Sequence, residues 1–206
     1  MIRGVFLLLF FTAHVLSAQK LIKKSLIDPD IRHISIDATN NFELSVSTSP
    51  SNEIQLEAHI DGEYQNSLVL NLKRTGSTIA VSTDFQRNYQ KPGDKLSAHK
   101  VISVGLSVIL PEHKGVSIFG TNCNVDAQGD YRNLKISLAD GRCLLNNISE
   151  SATVITQSGT IVVKASKAQI LAKSKYGSVE GDEIPAGDNQ YRLDSVTGNI
   201  VLNKID

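Results

Sequence analysis

The chain has no tryptophan, and aromatic residues make up only 5% of its 206 residues. Its core must therefore rest on Val, Ile, Leu and Ala, a composition typical of stacked β-strands more than of an enzyme cleft. Twenty-one basic residues balance 21 acidic ones, so the formal net charge is zero. Because no basic field is present to recruit a polyanion, we expect no nucleic-acid partner.

The sequence also lacks the usual signatures of catalysis and of cofactor binding. His14, His33, His59, His99 and His113 are scattered, and no His-x-His, His-Glu-x-x-His or Cys-x-x-Cys spacing supports a metal site. Glycine patterns of nucleotide-binding loops and of the nucleophile elbow are absent as well. We therefore expect a protein that is not an enzyme, with no catalytic residues, no metal and no cofactor.

One long apolar run stands at the N-terminus and predicts export. Arg3 precedes an apolar stretch over residues 5–16, and the small residues Ser17 and Ala18 follow it. This is the pattern of a signal peptide, here residues 1–18, cleaved after Ala18. The run is shorter than the about 20 residues that span a bilayer, so an uncleaved anchor is the weaker alternative. We expect a periplasmic, cell-surface or secreted protein without a transmembrane segment after signal removal.

The cysteines are few, and in an oxidising compartment they raise the question of a disulfide. Cys123 and Cys143 fall on adjacent repeats of the pattern described below, but two positions apart. Strand spacing and rise place such positions roughly 8 Å apart, beyond the usual Cα separation of a bridge. A disulfide and a buried free thiol at Cys143 both remain open.

Residues 19–30 read as a solvated leader, and residues 31–111 show the period-two alternation of half-buried strands. Alternating segments are separated by clusters of Asn, Ser, Pro and Gly, and they begin at Ile34, Phe42, Ile54, Leu68, Ile79 and Val101. Residues 85–99 interrupt the rhythm with polar and charged side chains. They predict a long exposed loop that serves either as a crossover or as a binding loop.

Beyond Pro111 the sequence repeats itself every 18 residues. Apolar residues recur at this step and form a predicted core stack of Val125, Cys143, Ile161 and Val179. Ile200 follows after 21 residues and is its last member. A predicted turn column keeps the same spacing and consists of Gly141, Gly159, Gly177 and Gly198. We interpret these glycines as turn residues that tolerate a positive φ. The three additional residues before Gly198 fall near Pro185 and Gly187 and predict a loop that bulges from one corner.

This periodicity predicts the fold class. We expect an all-β protein in which residues 112–206 form a single-stranded, right-handed β-solenoid (β-helix) with coils of about 18 residues. An N-terminal antiparallel or irregular β region, residues 31–111, would cap or extend it. Together they would form one continuous β domain over residues 31–206.

Several of these segments resemble a known family. Leu134-Lys-Ile-Ser-Leu-Ala-Asp-Gly, Thr156-Gln-Ser-Gly-Thr-Ile and Ser195-Val-Thr-Gly-Asn-Ile resemble the bacterial putative-adhesin domain family, an exported domain of unknown function with a β-solenoid like an autotransporter adhesin head. The resemblance covers residues 101–206 well and the earlier strands more loosely. It implies a periplasmic or cell-surface location and a role that is not enzymatic, and it supplies no catalytic residues.

The sequence thus leaves three functional hypotheses. The leading one is an adhesin-like binding or structural module of the bacterial cell envelope, whose partner would be an envelope protein or a surface glycan. The second is a carbohydrate-active enzyme on a β-helix, which would require paired carboxylates on one face. Asp126 and Asp140 are its candidates, although neither has a carboxylate at the equivalent position of the next repeat. The third is an envelope-stress sensor or regulatory module.

Overall fold

The computed structural model describes residues 20–62, 65–86 and 102–206. Within these ranges it contains fifteen β-strands, one 3₁₀ turn at Gln65–Ser67 and no α-helix, so the all-β prediction is confirmed. No helix among the described residues has the length and hydropathy needed to cross a bilayer. The predicted signal peptide lies outside the described residues, and so does the predicted loop 85–99 except for Phe85 and Gln86.

The strands follow the alternation that the sequence shows. In β7, for example, buried Val104, Leu106 and Val108 alternate with partly exposed residues. The first eight strands are β1 Lys20–Ile27, β2 His33–Asp37, β3 Glu43–Ser49, β4 Glu53–Gly62, β5 Leu68–Thr75, β6 Thr78–Phe85, β7 Ile102–Pro111 and β8 Lys114–Asn122. The others are β9 Asn124–Asp140, β10 Arg142–Thr156, β11 Thr160–Ala165, β12 Gln169–Ser174, β13 Val179–Gly181, β14 Gln190–Ser195 and β15 Ile200–Lys204.

Hydrogen bonds join all fifteen strands into one large mixed sheet with two runs of neighbours. We call them layer A, in the order β1-β4-β7-β3-β9-β10-β11-β15-β13, and layer B, in the order β5-β6-β2-β8-β9-β10-β14-β12. The long strands β9 and β10 belong to both, with their first halves in layer A and their second halves in layer B. Most inward residues of both layers form one apolar cluster, so the layers enclose a common core, and Ile60, Leu68 and Val104 form a second, smaller cluster.

The long strands bend where they pass from one layer to the other. In β9 the bend lies at Gly129, whose φ is +113° and whose missing side chain leaves room for the Oγ1 of Thr48. Beside it, Tyr131 is fully buried, and its hydroxyl lies 2.9 Å from the carbonyl oxygen of Val46. In β10 the register shifts between Asn146 and Ile148 and again between Glu150 and Ala152. These irregularities turn the chain without breaking the ladder.

In the middle of the molecule, neighbouring parallel strands pair with a shift of 18 residues in the sequence. In layer A, Val125 pairs with Cys143 and Cys143 with Ile161. In layer B, the same shift pairs Ile118 with Ile136 and Ile136 with Val154. A layer B strand and the layer A strand that follows it along the chain form what we call a unit.

The order of the last two units differs from the order in the sequence. Ile200 pairs with Ile161 on one side and with Val179 on the other, so the unit β14/β15 lies inside the unit β12/β13. The predicted stacking of Val179 directly on Ile161 is therefore wrong. Residues 182–189, interpreted above as a corner bulge, carry the chain from the outermost unit back to the inner one.

The N-terminal half departs from the prediction in two ways. The strands β2 and β3 are parallel to β8 and β9, so they extend the parallel stack. Among the described strands, the antiparallel pairs are β1–β4, β4–β7 and β5–β6. The unit β2/β3 is also inserted between β6/β7 and β8/β9. The predicted solvated leader instead contains β1, which pairs with β4. The Nζ of Lys20, in β1, donates to the carbonyl of Leu68, 2.8 Å away. It thereby provides a hydrogen-bond donor to the edge strand β5.

Candidate binding site

The predicted turn column lies at one junction between the layers, but its glycines are required for a reason other than φ. Only Gly141 has a positive φ, +100°. A Cβ on Gly159 would lie 2.8 Å from the carbonyl oxygen of Gly141, and one on Gly198 would lie 2.1 Å from that of Gly159. A Cβ on Gly177 would in turn lie 2.5 Å from that of Gly198. These glycines therefore allow successive turns to approach closely, in the order 141, 159, 198 and 177.

Beside this column lies a row of hydroxyl groups that the sequence reasoning missed. The buried Oγ1 of Thr156 donates to the carbonyl of Gly159, 2.8 Å away, and lies 2.9 Å from the Oγ of Ser195. Ser195 in turn accepts from the amide of Gly198 at 3.0 Å. A Ser or Thr three residues before three of the four turn glycines, at Thr156, Ser174 and Ser195, was the available signal, because such hydroxyls commonly bond to nearby backbone. The arrangement is structural and offers no reactive group to a ligand.

The predicted core stack is divided by exposure. Val125, Cys143, Ile161 and Ile200 are buried, whereas Val179 is 46% exposed because it lies in the outermost unit. Both cysteines are buried free thiols. Burial raises the pKa of Cys123 to about 12 and also raises the pKa of Cys143. Since the thiolate is the nucleophile, neither cysteine has the character of a catalytic residue.

The outward faces carry the remaining candidates. Asp126 pairs with Ser45 on one side and Leu144 on the other, so its row does not place a second carboxylate next to it. No group of three His, Cys, Asp or Glu side chains in the described ranges is arranged to hold a metal ion. On layer B, a shallow depression of about 380 Å³ is lined by Gln169, Gln190 and Arg192 among other residues. It lies beside the outermost unit and has a largely polar lining.

The outward face of layer A has a more informative feature at Gly105. This residue lies in β7, a strand paired on both sides, with His59 and Glu43 as its neighbours. No atom of the described residues lies within 4 Å of the position that its Cβ would take, and its φ is not in the left-handed region. Every other glycine in the described ranges has either a close neighbour at that position or a positive φ. Nothing in the fold therefore requires glycine here.

A glycine inside a strand weakens the strand, and it often marks a place where a ligand approaches the backbone closely. Gly105 is in fact part of a depression of about 280 Å³. We call this the Gly105 depression; it is lined by Phe42, Glu43, His59, Asp61, Ser103 and Gly105. Three adjacent strands supply the lining: β4 carries His59 and Asp61, β7 carries Ser103, and β3 begins with Glu43. Phe42 stands just before β3 and is 60% exposed.

Neighbouring charges orient the imidazole in this depression. The Nε2 of His59 lies 2.7 Å from the Oε1 of Glu57, and the Nζ of Lys23 lies 2.7 Å from the other oxygen of that carboxylate. Hydrogen bonds from Lys23 and then from His59 lower the pKa of Glu57, which stays an acceptor. The proton of a neutral His59 therefore resides on Nε2, and Nδ1 becomes an acceptor.

The sequence reasoning did not single out this site. The depression joins residues that are up to 63 positions apart, since Phe42 precedes β3 and Gly105 lies on β7, and these strands are neighbours only in the folded sheet. One signal was present, the glycine in the alternating segment Val104-Gly-Leu-Ser-Val. An isolated glycine in such a pattern indicates a bulge or a close approach. The structure shows regular pairing without a bulge at Gly105 and open space where its Cβ would lie.

No protein-family model and no curated protein matches the sequence. Among solved structures, a putative cell adhesion protein from Clostridium sporogenes superposes with a TM-score of 0.65 and 12% identity, over 91% of this chain and 100% of that chain. A putative adhesin from Bacteroides fragilis covers 92% of this chain and 99% of its own, with 11% identity and a TM-score of 0.38. A putative lipid binding protein from Parabacteroides distasonis covers 90% and 97%, with 14% identity and a TM-score of 0.30. The first likeness shows that this chain shares the fold of the Clostridium protein.

Proposed function

We propose that this chain is an exported, non-enzymatic binding module of the bacterial cell envelope, adhesin-like in action, whose units wind as a β-solenoid. The Gly105 depression carries the proposal, because a strand glycine without a structural role indicates space kept for a ligand. The N-terminal sequence pattern supports export. The sequence resemblance and the fold of the Clostridium sporogenes cell adhesion protein support the adhesin-like role.

The geometry favours binding over catalysis. The Gly105 depression lies on the outward face of layer A and is partly open to solvent, so bound ligand stays in contact with water. The two cysteines, which are the strongest nucleophiles in the described part of the chain, are buried elsewhere. A small site of this kind gives weak contacts that become useful when many copies act together on a surface.

Binding of the fluorescently labelled protein to isolated envelope fractions and to whole cells tests the proposal. We expect Gly105→Thr, which fills the depression with a side chain suited to a strand, to reduce binding about tenfold, equal to about 1.4 kcal/mol. Ser45→Val is the matched control, since Ser45 also faces outward on layer A but does not line the depression. No binding of the wild-type protein to any fraction, or turnover of a polysaccharide, would overturn the proposal.

A further inference from the structure

We propose that the Gly105 depression binds one uncharged saccharide ring, with the ring lying over Gly105. This inference deepens the proposed function and rests on it. It concerns the kind of ligand, which follows from the groups that line the depression and from those that are absent from it.

The described lining groups are mainly hydrogen-bond acceptors. Glu43 contributes a carboxylate that has no hydrogen bond or ion pair within the described residues. Asp61 uses Oδ1 to accept from the amide of Gly62 at 2.8 Å, which leaves Oδ2 for a ligand. When neutral with its proton on Nε2, which faces Glu57, His59 presents Nδ1 as a third acceptor. A ligand that fits this set must carry several donors close together, as the hydroxyl groups of a sugar do.

The charges in the depression select against acidic ligands. Its described lining contains neither Lys nor Arg, and the ammonium of Lys23, on the neighbouring strand β1, is held by Glu57. A uronic or sialic acid would bring its own carboxylate towards Glu43 and Asp61, at a cost in repulsion and desolvation. An uncharged sugar meets no such penalty.

The shape matches a flat ring with one apolar side. Without a Cβ at Gly105, the floor of the depression is bare backbone between the side chains of His59 and Glu43. Phe42 stands at the rim with an exposed ring, which can cover the C–H side of a sugar while hydroxyls reach the acceptors. A volume of about 280 Å³ is near the lower end of ligand pockets, about 300 Å³. One ring fits better than a long oligosaccharide segment.

A glycan array followed by titration with soluble methyl glycosides tests this inference. We expect uncharged hexosides to bind, and binding to fall at least about tenfold in Gly105→Thr and in Phe42→Ala. The control Ser45→Val should bind as the wild type does. In Glu43→Gln the preference for uncharged over carboxylated sugars should shrink, a change that a purely structural role of Glu43 would not produce. Thermal unfolding of each variant confirms that it is folded.

The outcomes separate the ligand class from the function. If envelope binding is lost in Gly105→Thr but hexosides do not compete with it, the saccharide inference is wrong and the proposed binding function stands. Stronger binding of carboxylated or amine-bearing ligands than of uncharged sugars would also refute it. If the wild-type protein binds neither envelope nor glycans, both proposals fail together.

Discussion

Gly105 and Gly198 should respond in opposite directions to the same substitution, alanine. A Cβ on Gly198 would lie 2.1 Å from the carbonyl oxygen of Gly159 and 2.7 Å from that of Ser158, both of them backbone atoms. The two turns must then separate, and the amide of Gly198 stands to lose its 3.0 Å hydrogen bond to the Oγ of Ser195. Overpacking costs about 1–3 kcal/mol, and a lost hydrogen bond adds about 1 kcal/mol.

We therefore expect Gly198→Ala to lower the free energy of unfolding by about 2–4 kcal/mol. Gly105→Ala meets no described atom within 4 Å, and it should raise this free energy by about 0.4–1 kcal/mol because alanine loses less backbone entropy. For a chain of this length, about 2–4 °C per kcal/mol, the melting temperatures should move in opposite directions.

Urea unfolding followed by circular dichroism, together with scanning calorimetry, measures both changes on the purified protein. The slope of the urea transition should stay the same in both variants, since the surface exposed on unfolding does not change. Destabilisation by Gly105→Ala comparable to that by Gly198→Ala would refute the reasoning, because Gly105 would then have a structural role. Unchanged stability of Gly198→Ala would show that the turns are not in close contact.

Two further predictions concern the order of the units and the buried thiol and phenol groups. Because Lys164 pairs with Asn203 in parallel strands, with Cα atoms within the usual range for a disulfide, Lys164→Cys with Asn203→Cys should form a bond on mild oxidation. The pair Lys164→Cys with Asp182→Cys should not. Mass spectrometry after thiol blocking shows which of the two pairs forms a disulfide. A disulfide in the second pair but not in the first would mean that the unit β12/β13, and not β14/β15, lies next to β11. Burial raises the pKa of Cys123 from 9.0 and that of Tyr191 from 10.0, each to about 12. The folded state therefore favours the neutral thiol and the neutral phenol. Their contribution to the free energy of unfolding is complete below about pH 9 and is lost as the pH rises towards 12. A urea unfolding midpoint that stays constant over this pH interval would contradict the burial of these two groups.

Much of layer A and layer B could be read from local alternation and from the 18-residue step. The segments predicted to begin at Ile34, Ile54 and Ile79 are all strands, because burial of one face requires an apolar residue at every second position. Val125 pairs with Cys143, which lies 18 residues later, as the repeat in the sequence predicts. Parallel neighbours in register place equivalent side chains over one another, so a repeated pattern fixes the register once the neighbours are known.

Other parts of the prediction were wrong because they depended on contacts distant in sequence. The charges of the leader predict a solvated segment, yet β1 pairs with β4, packs the partly buried Ile22 and Leu26 against the core, and places Lys20 on a carbonyl of β5. The glycines of the turn column are interpreted through φ in the sequence, whereas in all four a carbonyl of a neighbouring turn lies where a Cβ would be, and only Gly141 also has a positive φ. In each case the deciding partner is separated by many residues from the position that was interpreted.

The amino-acid sequence by itself determined most of the strands after β1, most of the inward side chains and the step between equivalent positions, since these depend on local alternation and on repetition. Only the tertiary structure decided which unit lies beside which, because any unit with the same pattern can pair in register with any other. The placement of β14/β15 inside β12/β13 is one result. The Gly105 depression is another, since His59, Gly105 and Glu43 become neighbours only when β4, β7 and β3 lie side by side.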